Sequence, residues 1–159
     1  MKPFLGKIGK YSYIGKPIFL LGLKNLYLGN KIRIYPNSRI EVYKYGILNI
    51  KDNVSIGQSF HVICSNRVTI STGTLISANV FITDTDHTYN NIDLPVHEQP
   101  TTCKETYIGE NCFIGYGVVI QAGTKLGKNC IIGANSTVKG IFPDGSIIVG
   151  SPGRIIKTR

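Results

Sequence analysis

Residues 108–143 divide into six hexads, IGENCF IGYGVV IQAGTK LGKNCI IGANST VKGIFP. Each hexad begins with an aliphatic residue, and glycine follows that residue in four of the six. The fifth residue of a hexad is mostly small. A period of six kept over this length is typical of a hexapeptide repeat, in which each repeat adds one side to a solenoid.

The spacing predicts a triangular coil. Three hexads, about 18 residues, would complete one turn, and successive turns would stack at the strand spacing of about 4.8 Å. The aliphatic residue then points into the prism, the small fifth residue fits beside it, and we expect the glycine to relieve the turn. Cys112 and Cys130 occupy the small interior position. No pair of cysteines has CxxC spacing, so we expect no disulfide framework.

The same rhythm runs through the earlier part of the chain, with slips. Its phase changes near KYGIL (residues 44–48) and SNRVT (residues 65–69), which predicts small bulges at corners. We therefore expect an all-β protein, a parallel β-helix forming one domain over residues 1–159, with a C-terminal tail at 143–159. The earlier aliphatic runs are Leu28, Ile34 and Ile40; Ile50, Ile56 and Val62; and Ile70, Ile76 and Ile82.

Between Ile82 and Ile108 the rhythm stops, and the segment carries six charged residues. We expect residues 83–107 to form one long loop that protrudes from the coil. Loops of this length inside a compact domain are usually functional or disordered. The loop contains Asp84, Asp86, His87, Tyr89, Asp93, His97 and Glu98.

The net charge of +9 is concentrated at the N-terminal end, since residues 1–53 carry ten Lys or Arg against two Asp or Glu. The chain has no nucleic-acid-binding motif, so we expect no nucleic-acid partner. An anionic cofactor or an anionic lipid-linked partner fits the charge equally well. The N-terminus has no signal-peptide pattern, and no apolar run approaches the ~18 residues of a membrane span. We expect a cytoplasmic protein, with contact to the inner face of the membrane left open.

The repeat, the segment DTDHTY (residues 84–89) and the ending SIIVGSPGRIIK (residues 146–157) together resemble the hexapeptide-repeat acyltransferases. The resemblance covers about residues 25–157. It is strongest to the maltose, galactoside and nodulation sugar O-acetyltransferases and to those of surface-polysaccharide synthesis. It implies a left-handed β-helix, acetyl-CoA as acyl donor, no metal, and a homotrimer with active sites between subunits. Outward apolar residues, among them Phe60, Phe81 and Val119, also favour association.

By this resemblance His87 is the general base that takes the acceptor's proton during direct transfer in a ternary complex. A positioned base of this kind contributes typically ~10²–10⁴-fold to the rate. Asp84 and Asp86 are candidates for orienting the imidazole. His61, expected to project outward beneath the loop, and Tyr89 are candidates for binding the acceptor.

The resemblance places the donor along the late coils. Backbone groups around Tyr116, Gly117 and Ala134 would meet the pantetheine amides of coenzyme A. The cations Lys139, Arg154 and Lys157 are candidates for its phosphates. The ending departs from the family's Gly-x-Pro-Ala-Lys/Arg pattern at Gly153, where alanine is usual.

The acceptor is left open. Residues 6–43 resemble the acetyltransferases of O-antigen and capsule clusters, which favours O-acetylation of a sugar that is free, nucleotide-linked or lipid-linked. Sugar N-acetyltransferase and antibiotic acetyltransferase are alternatives of the same fold. A γ-carbonic-anhydrase-like zinc enzyme would use His61, His87 and His97, but the family's histidine pair five residues apart is missing. A non-catalytic β-helix is the remaining alternative.

Overall fold

The computed structural model describes residues 6–159, so residues 1–5 of the predicted domain lie outside the described residues. The described chain winds through a parallel β-helix of about seven coils, as the hexads predict. Each complete coil contributes one short strand to each of three parallel sheets, which we call the first, second and third faces.

The strands follow one another in this order along each face. The first face contains Lys7–Ile8, Leu26–Leu28, Ile47–Ile50, Arg67–Ile70, Thr106–Ile108, Lys125–Leu126 and Ile141–Phe142. The second contains Tyr13–Ile14, Arg33–Ile34, Ser55–Ile56, Leu75–Ile76, Phe113–Ile114, Ile131–Ile132 and Ser146–Val149, with Arg154–Thr158 added antiparallel. The third contains Phe19–Leu21, Arg39–Val42, His61–Cys64, Phe81–Thr83, Val119–Ile120 and Thr137–Val138. Short 3-10 helices occupy Leu23–Asn25 and Val96–Glu98.

The core is the column of residues that the period selects. All fifteen aliphatic positions that keep the rhythm are at most 1% exposed. Burial of one such side chain stabilises the fold by roughly 1.5–3 kcal/mol. Cys112 and Cys130 are buried, as predicted, and burial raises the pKa of the Cys112 thiol to about 12. The Cys112 thiol is therefore a protonated packing group.

The turns are made by a different residue from the one we expected. The fourth residue of five of the six hexads is Asn or Gly with a positive φ, between 54° and 84°, which relieves the left-handed corner. The glycine in second place has another role, because a Cβ at Gly115 would lie 2.7 Å from the amide nitrogen of Ala134 in the next coil. That glycine permits close stacking. The left-handed fourth residues are Asn111, Gly117, Gly123, Asn129 and Asn135.

The prediction that Phe60 projects outward is wrong, because its side chain is fully buried. The reason is its place in the hexad that starts at Ile56, where it is the fifth residue and so points inward. Phe81 and Val119 are half-buried on the third face. Both phase slips fall at corners between the third and first faces, where the sequence places them; the bulges themselves stay a prediction.

The excursion from the coil is shorter than predicted and has regular structure. Thr83 still belongs to the third face and Thr106 already belongs to the first, so the loop comprises residues 84–105. Its base is an antiparallel ribbon of Thr85–His87 against Thr101–Cys103. The buried hydroxyl of Thr106 donates to the carbonyl of Thr83 at 2.8 Å and closes the base of the loop. The base of the loop is therefore held in place by the ribbon and by this hydrogen bond.

The predicted tail contains the last strand of the coil, Ser146–Val149, and a return strand, Arg154–Thr158. Gly153 between them is buried, and a Cβ there would lie 2.7 Å from Cγ1 of Val138. This contact accounts for glycine where the resemblance expects alanine. In the described part of the chain, no helix is long and apolar enough to cross a bilayer.

Candidate active site

Asp84 anchors the loop where it leaves the coil. Its side chain is fully buried, and each carboxylate oxygen accepts a backbone hydrogen bond of 2.8 Å, Oδ1 from Ser65 and Oδ2 from Asn66. The hydroxyl of Thr85 donates to Oδ1 at 2.8 Å. Because buried polar groups are stable only when their partners are present, these bonds fix the direction of the ribbon.

His87 is exposed at the end of the first ribbon strand. Among residues 6–159, neither predicted aspartate is hydrogen-bonded to its imidazole. Oδ1 of Asp86 accepts the backbone N–H of His87 at 3.0 Å, and Oδ2 pairs with Nζ of Lys139 at 3.3 Å. The carboxylate of Asp84 accepts its hydrogen bonds from Ser65, Asn66 and Thr85 at the base of the loop. Within residues 6–159 the imidazole of His87 has no hydrogen-bond partner, so the predicted orienting role of the two aspartates is not seen.

His87 lies on the wall of a cavity of about 720 Å³. The ribbon forms one side of this cavity, and the outward residues Ile63, Phe81 and Val119 of the third face form its floor. The corner Tyr43–Lys44–Tyr45 forms its edge. This volume is in the range of small-molecule sites, and an apolar floor with a few polar groups is their usual lining.

Beside the cavity, His61 belongs to a polar cluster centred on Glu41, a residue that the sequence analysis missed. Glu41 is 6% exposed; its Oε1 accepts from Nε of Arg39 at 2.6 Å and pairs with Nε2 of His61 at 3.0 Å. Its Oε2 accepts the hydroxyl of Tyr43 at 3.3 Å. Since a carboxylate only accepts, Nε2 of His61 carries the proton and a neutral imidazole leaves Nδ1 as an acceptor. The imidazole ring of His61 packs against the ring of Phe81, with 4.9 Å between the ring centroids.

The hydrogen bond from Arg39 lowers the pKa of Glu41 below its usual value; burial opposes the shift and the bond to His61 supports it. A carboxyl whose pKa falls on folding stabilises the protein above its unfolded pKa. That stabilisation is lost as the pH falls through the lower, folded value. The cluster should therefore be intact at neutral pH and weaken in acid.

Glu41→Gln is expected to lower the free energy of unfolding at pH 7 by about 1–2 kcal/mol, because the amide loses the charge and one of the two acceptor oxygens that serve Arg39, His61 and Tyr43. The difference from wild type should shrink as the pH falls below about 4.3, where unfolded glutamate protonates. Urea unfolding at neutral and acid pH measures both. Glu110→Gln is the matched control, since Glu110 pairs with Lys128 on the exposed surface. A pH-independent difference would contradict this account.

The donor-side residues lie at the corner between the second and third faces and on the return strand. The N–H of Gly117 donates to the carbonyl of Ala78. Contrary to the prediction, this N–H is therefore not available to a ligand. By contrast, the N–H groups of Ala78, Tyr116 and Ala134 have no hydrogen-bond partner among residues 6–159. These three stack one above another in successive coils. They form a ladder of unpaired backbone donors along this corner, the kind of group with which amide carbonyls pair.

The other predicted residues are dispersed. Lys139 pairs with Asp86, while Arg154 and Lys157 are exposed on the return strand along the second face. Tyr89 is 72% exposed near the loop tip. His97 lies beside Glu98, 3.8 Å away, and is not gathered with His61 and His87. In the described part of the chain, no group of three His, Cys, Asp or Glu residues could hold a metal ion.

Comparison with known proteins identifies the repeat independently. The family described as "Bacterial transferase hexapeptide (six repeats)" matches residues 105–140. The putative lipopolysaccharide biosynthesis O-acetyl transferase WbbJ of Escherichia coli K12 is 32% identical over 75% of this chain and 64% of its own length. The galactoside O-acetyltransferase of Escherichia coli K12 is 34% identical over 66% of this chain and 54% of its own length. The chain thus spans between half and two thirds of these two relatives.

Solved structures of the same shape extend the comparison to nearly the whole chain. AntD, an N-acyltransferase from Bacillus cereus in complex with dTDP and 3-hydroxybutyryl-CoA, superposes with a TM-score of 0.85 over 99% of this chain and 85% of its own, at 20% identity. A galactoside acetyltransferase in complex with coenzyme A superposes with a TM-score of 0.68 over 97% of this chain and 65% of its own, at 23% identity. At these identities the likeness shows the fold. The matched repeat at residues 105–140 and the two acetyltransferase relatives, rather than the shape, identify the chain as a hexapeptide-repeat protein.

Proposed function

We propose that this protein transfers an acetyl group from acetyl-CoA to a hydroxyl of a sugar, with His87 as general base. The observation that carries the proposal is the position of His87, on an anchored ribbon at the wall of the cavity above the third face. The matched relatives support the reaction class, since WbbJ and the galactoside enzyme are named as O-acetyltransferases. The relation to WbbJ also favours a role in surface-polysaccharide synthesis.

In the proposed reaction the acceptor hydroxyl oxygen attacks the thioester carbonyl, and His87 takes the hydroxyl proton as the C–O bond forms. Collapse of the tetrahedral species breaks the C–S bond and releases the thiol of coenzyme A, which receives the proton from the imidazolium. No protein nucleophile is required for this direct transfer. His61, oriented by Glu41, would accept a hydrogen bond from a second acceptor hydroxyl through Nδ1.

The donor would lie along the corner between the second and third faces. Its pantetheine carbonyls would accept from the unpaired N–H groups of Tyr116 and Ala134, in the way that an added strand binds a sheet edge. Arg154 and Lys157 are candidates for its phosphates because both are exposed on the return strand and have no carboxylate within 4 Å in residues 6–159.

We also infer a homotrimer in which each loop reaches a neighbouring subunit. The loop tip exposes Ile92, Leu94 and Val96, and the second face exposes Leu75 and Phe113. Apolar side chains grouped in this way favour a covered surface. The active site would then be completed between subunits.

N-acylation of an amino sugar is the second candidate, and the likeness to AntD over 99% of the chain favours it. The product distinguishes the two. An acetyl ester is cleaved by neutral hydroxylamine, whereas an amide survives. We expect the product formed with acetyl-CoA and sugar acceptors to be cleaved, and mass spectrometry before and after treatment measures this. A resistant product formed only with amino sugars would replace O-acetylation by N-acylation.

A further inference from the structure

The corner Tyr43–Lys44–Tyr45 is not used by the proposed chemistry, although all three side chains line the cavity. Tyr43 and Tyr45 are 46% and 78% exposed. Nζ of Lys44 lies 5.2 Å from the ring centroid of Tyr45, and the hydroxyl of Tyr43 is held by Glu41. Two aromatic side chains and a cation therefore line the same cavity as the ribbon.

Lys44 continues a row of positive charge along the edge between the third and first faces. Lys24 lies in the coil before it, where Asn25 donates to the carbonyl of Lys44 at 3.3 Å. Arg67 lies in the coil after it. None of the three cations has a carboxylate within 4 Å in the described part of the chain.

The nearby carboxylates do not neutralise this row. Glu41 is bonded to Arg39 and His61, Asp86 pairs with Lys139, and Asp84 is buried against backbone N–H groups. A hydroxyl-rich neutral sugar needs no such charge, whereas a phosphate attached to the sugar would be attracted to it. The tyrosine faces can pack against the group beyond the phosphate.

From this we infer that the acceptor is a sugar carrying a diphosphate, bound with its sugar at His87 and its diphosphate at Lys44. This inference rests on the proposed function, because it assigns the sugar end to the same cavity. A nucleoside diphosphate sugar and a polyprenyl diphosphate sugar share this chemistry. Tyr43 and Tyr45 would contact the base in the first and the prenyl chain in the second.

Titration calorimetry without acetyl-CoA tests the inference separately from catalysis. The probes are glucose, UDP-glucose and geranyl diphosphate. We expect at least one diphosphate to bind at least about tenfold more tightly than glucose, and Lys44→Gln to weaken that binding by about tenfold. Lys51→Gln is the matched control, because Lys51 is an exposed lysine at a different corner, between the first and second faces. Stronger binding of UDP-glucose assigns the nucleotide source, and stronger binding of geranyl diphosphate assigns the lipid source.

The inference is overturned if neither diphosphate binds more tightly than glucose, or if Lys44→Gln and Lys51→Gln have equal effects. Because the assay contains no acetyl donor, diphosphate binding can persist where acetyl transfer fails, and acetyl transfer to free sugars can persist where diphosphate binding fails. The two failures are therefore distinguishable. Circular dichroism of each variant establishes that the β-helix is retained.

Discussion

His87→Ala is expected to lower kcat for acetyl transfer by about 10²–10⁴-fold, because the acceptor hydroxyl loses its general base. The substitution removes an exposed side chain with no hydrogen-bond partner among residues 6–159, so folding should be unaffected. The effect should therefore fall on kcat with little change in the unfolding midpoint. Rates at saturating acetyl-CoA and acceptor, with thermal unfolding of both proteins, measure this.

His97→Ala is the matched control for His87→Ala. His97 is in the same loop, but its side chain is 80% exposed and lies beside Glu98 rather than on the cavity wall. We expect its kcat to stay within about twofold of wild type, since surface substitutions away from a site are nearly neutral. Equal losses in the two variants would show that the loop, rather than the imidazole of His87, supports activity.

Asp84→Ala is expected to destabilise the protein by about 2–4 kcal/mol, because the N–H groups of Ser65 and Asn66 lose their acceptor at a partly buried corner. The loop base should also loosen, since the bond to Thr85 is lost. Urea unfolding gives the stability. Amide exchange of the ribbon residues reports the local effect, and we expect it to accelerate more than exchange in the coil strands.

Asp84→Asn separates the anchor from the charge. The amide keeps the size of the side chain, but one of its two ends becomes a donor and faces a backbone N–H. We therefore expect Asp84→Asn to be destabilising as well, while Asp86→Asn, at an exposed pair with Lys139, should cost well under about 1 kcal/mol. Equal stability of Asp84→Asn and wild type would exclude the anchoring role.

The coil could be predicted from the sequence because its period is a packing rule. Every sixth residue must be aliphatic to fill the prism, and the hexad position decides the direction of a side chain. The same rule places Phe60 inside the prism rather than outside as predicted, because Phe60 is the fifth residue of the hexad that begins at Ile56. The left-handed fourth residue was also readable, because Asn111, Asn129 and Asn135 share one place in their hexads.

The site was only partly predictable. His87 lies in a segment that resembles the family, but its surroundings depend on long-range contacts. Glu41, for example, reaches His61, 20 residues later in the sequence, only because neighbouring coils stack in register. A signal for Glu41 was present, since a carboxylate lies between the buried Ile40 and Val42 in a strand. The bond of Asp84 to Ser65 and Asn66 likewise required the register of neighbouring coils.

Acceptor-dependent release of the coenzyme A thiol is the measurement that tests the central claim most directly. Acetyl-CoA is supplied with a panel of free, nucleotide-linked and lipid-linked sugars to the wild type and to His87→Ala. The account predicts thiol release that requires an acceptor and almost disappears in the variant. Release that survives in His87→Ala would move the base to another residue, with His61 the first to test. No acceptor-dependent release by the wild type with any sugar would contradict the proposed reaction.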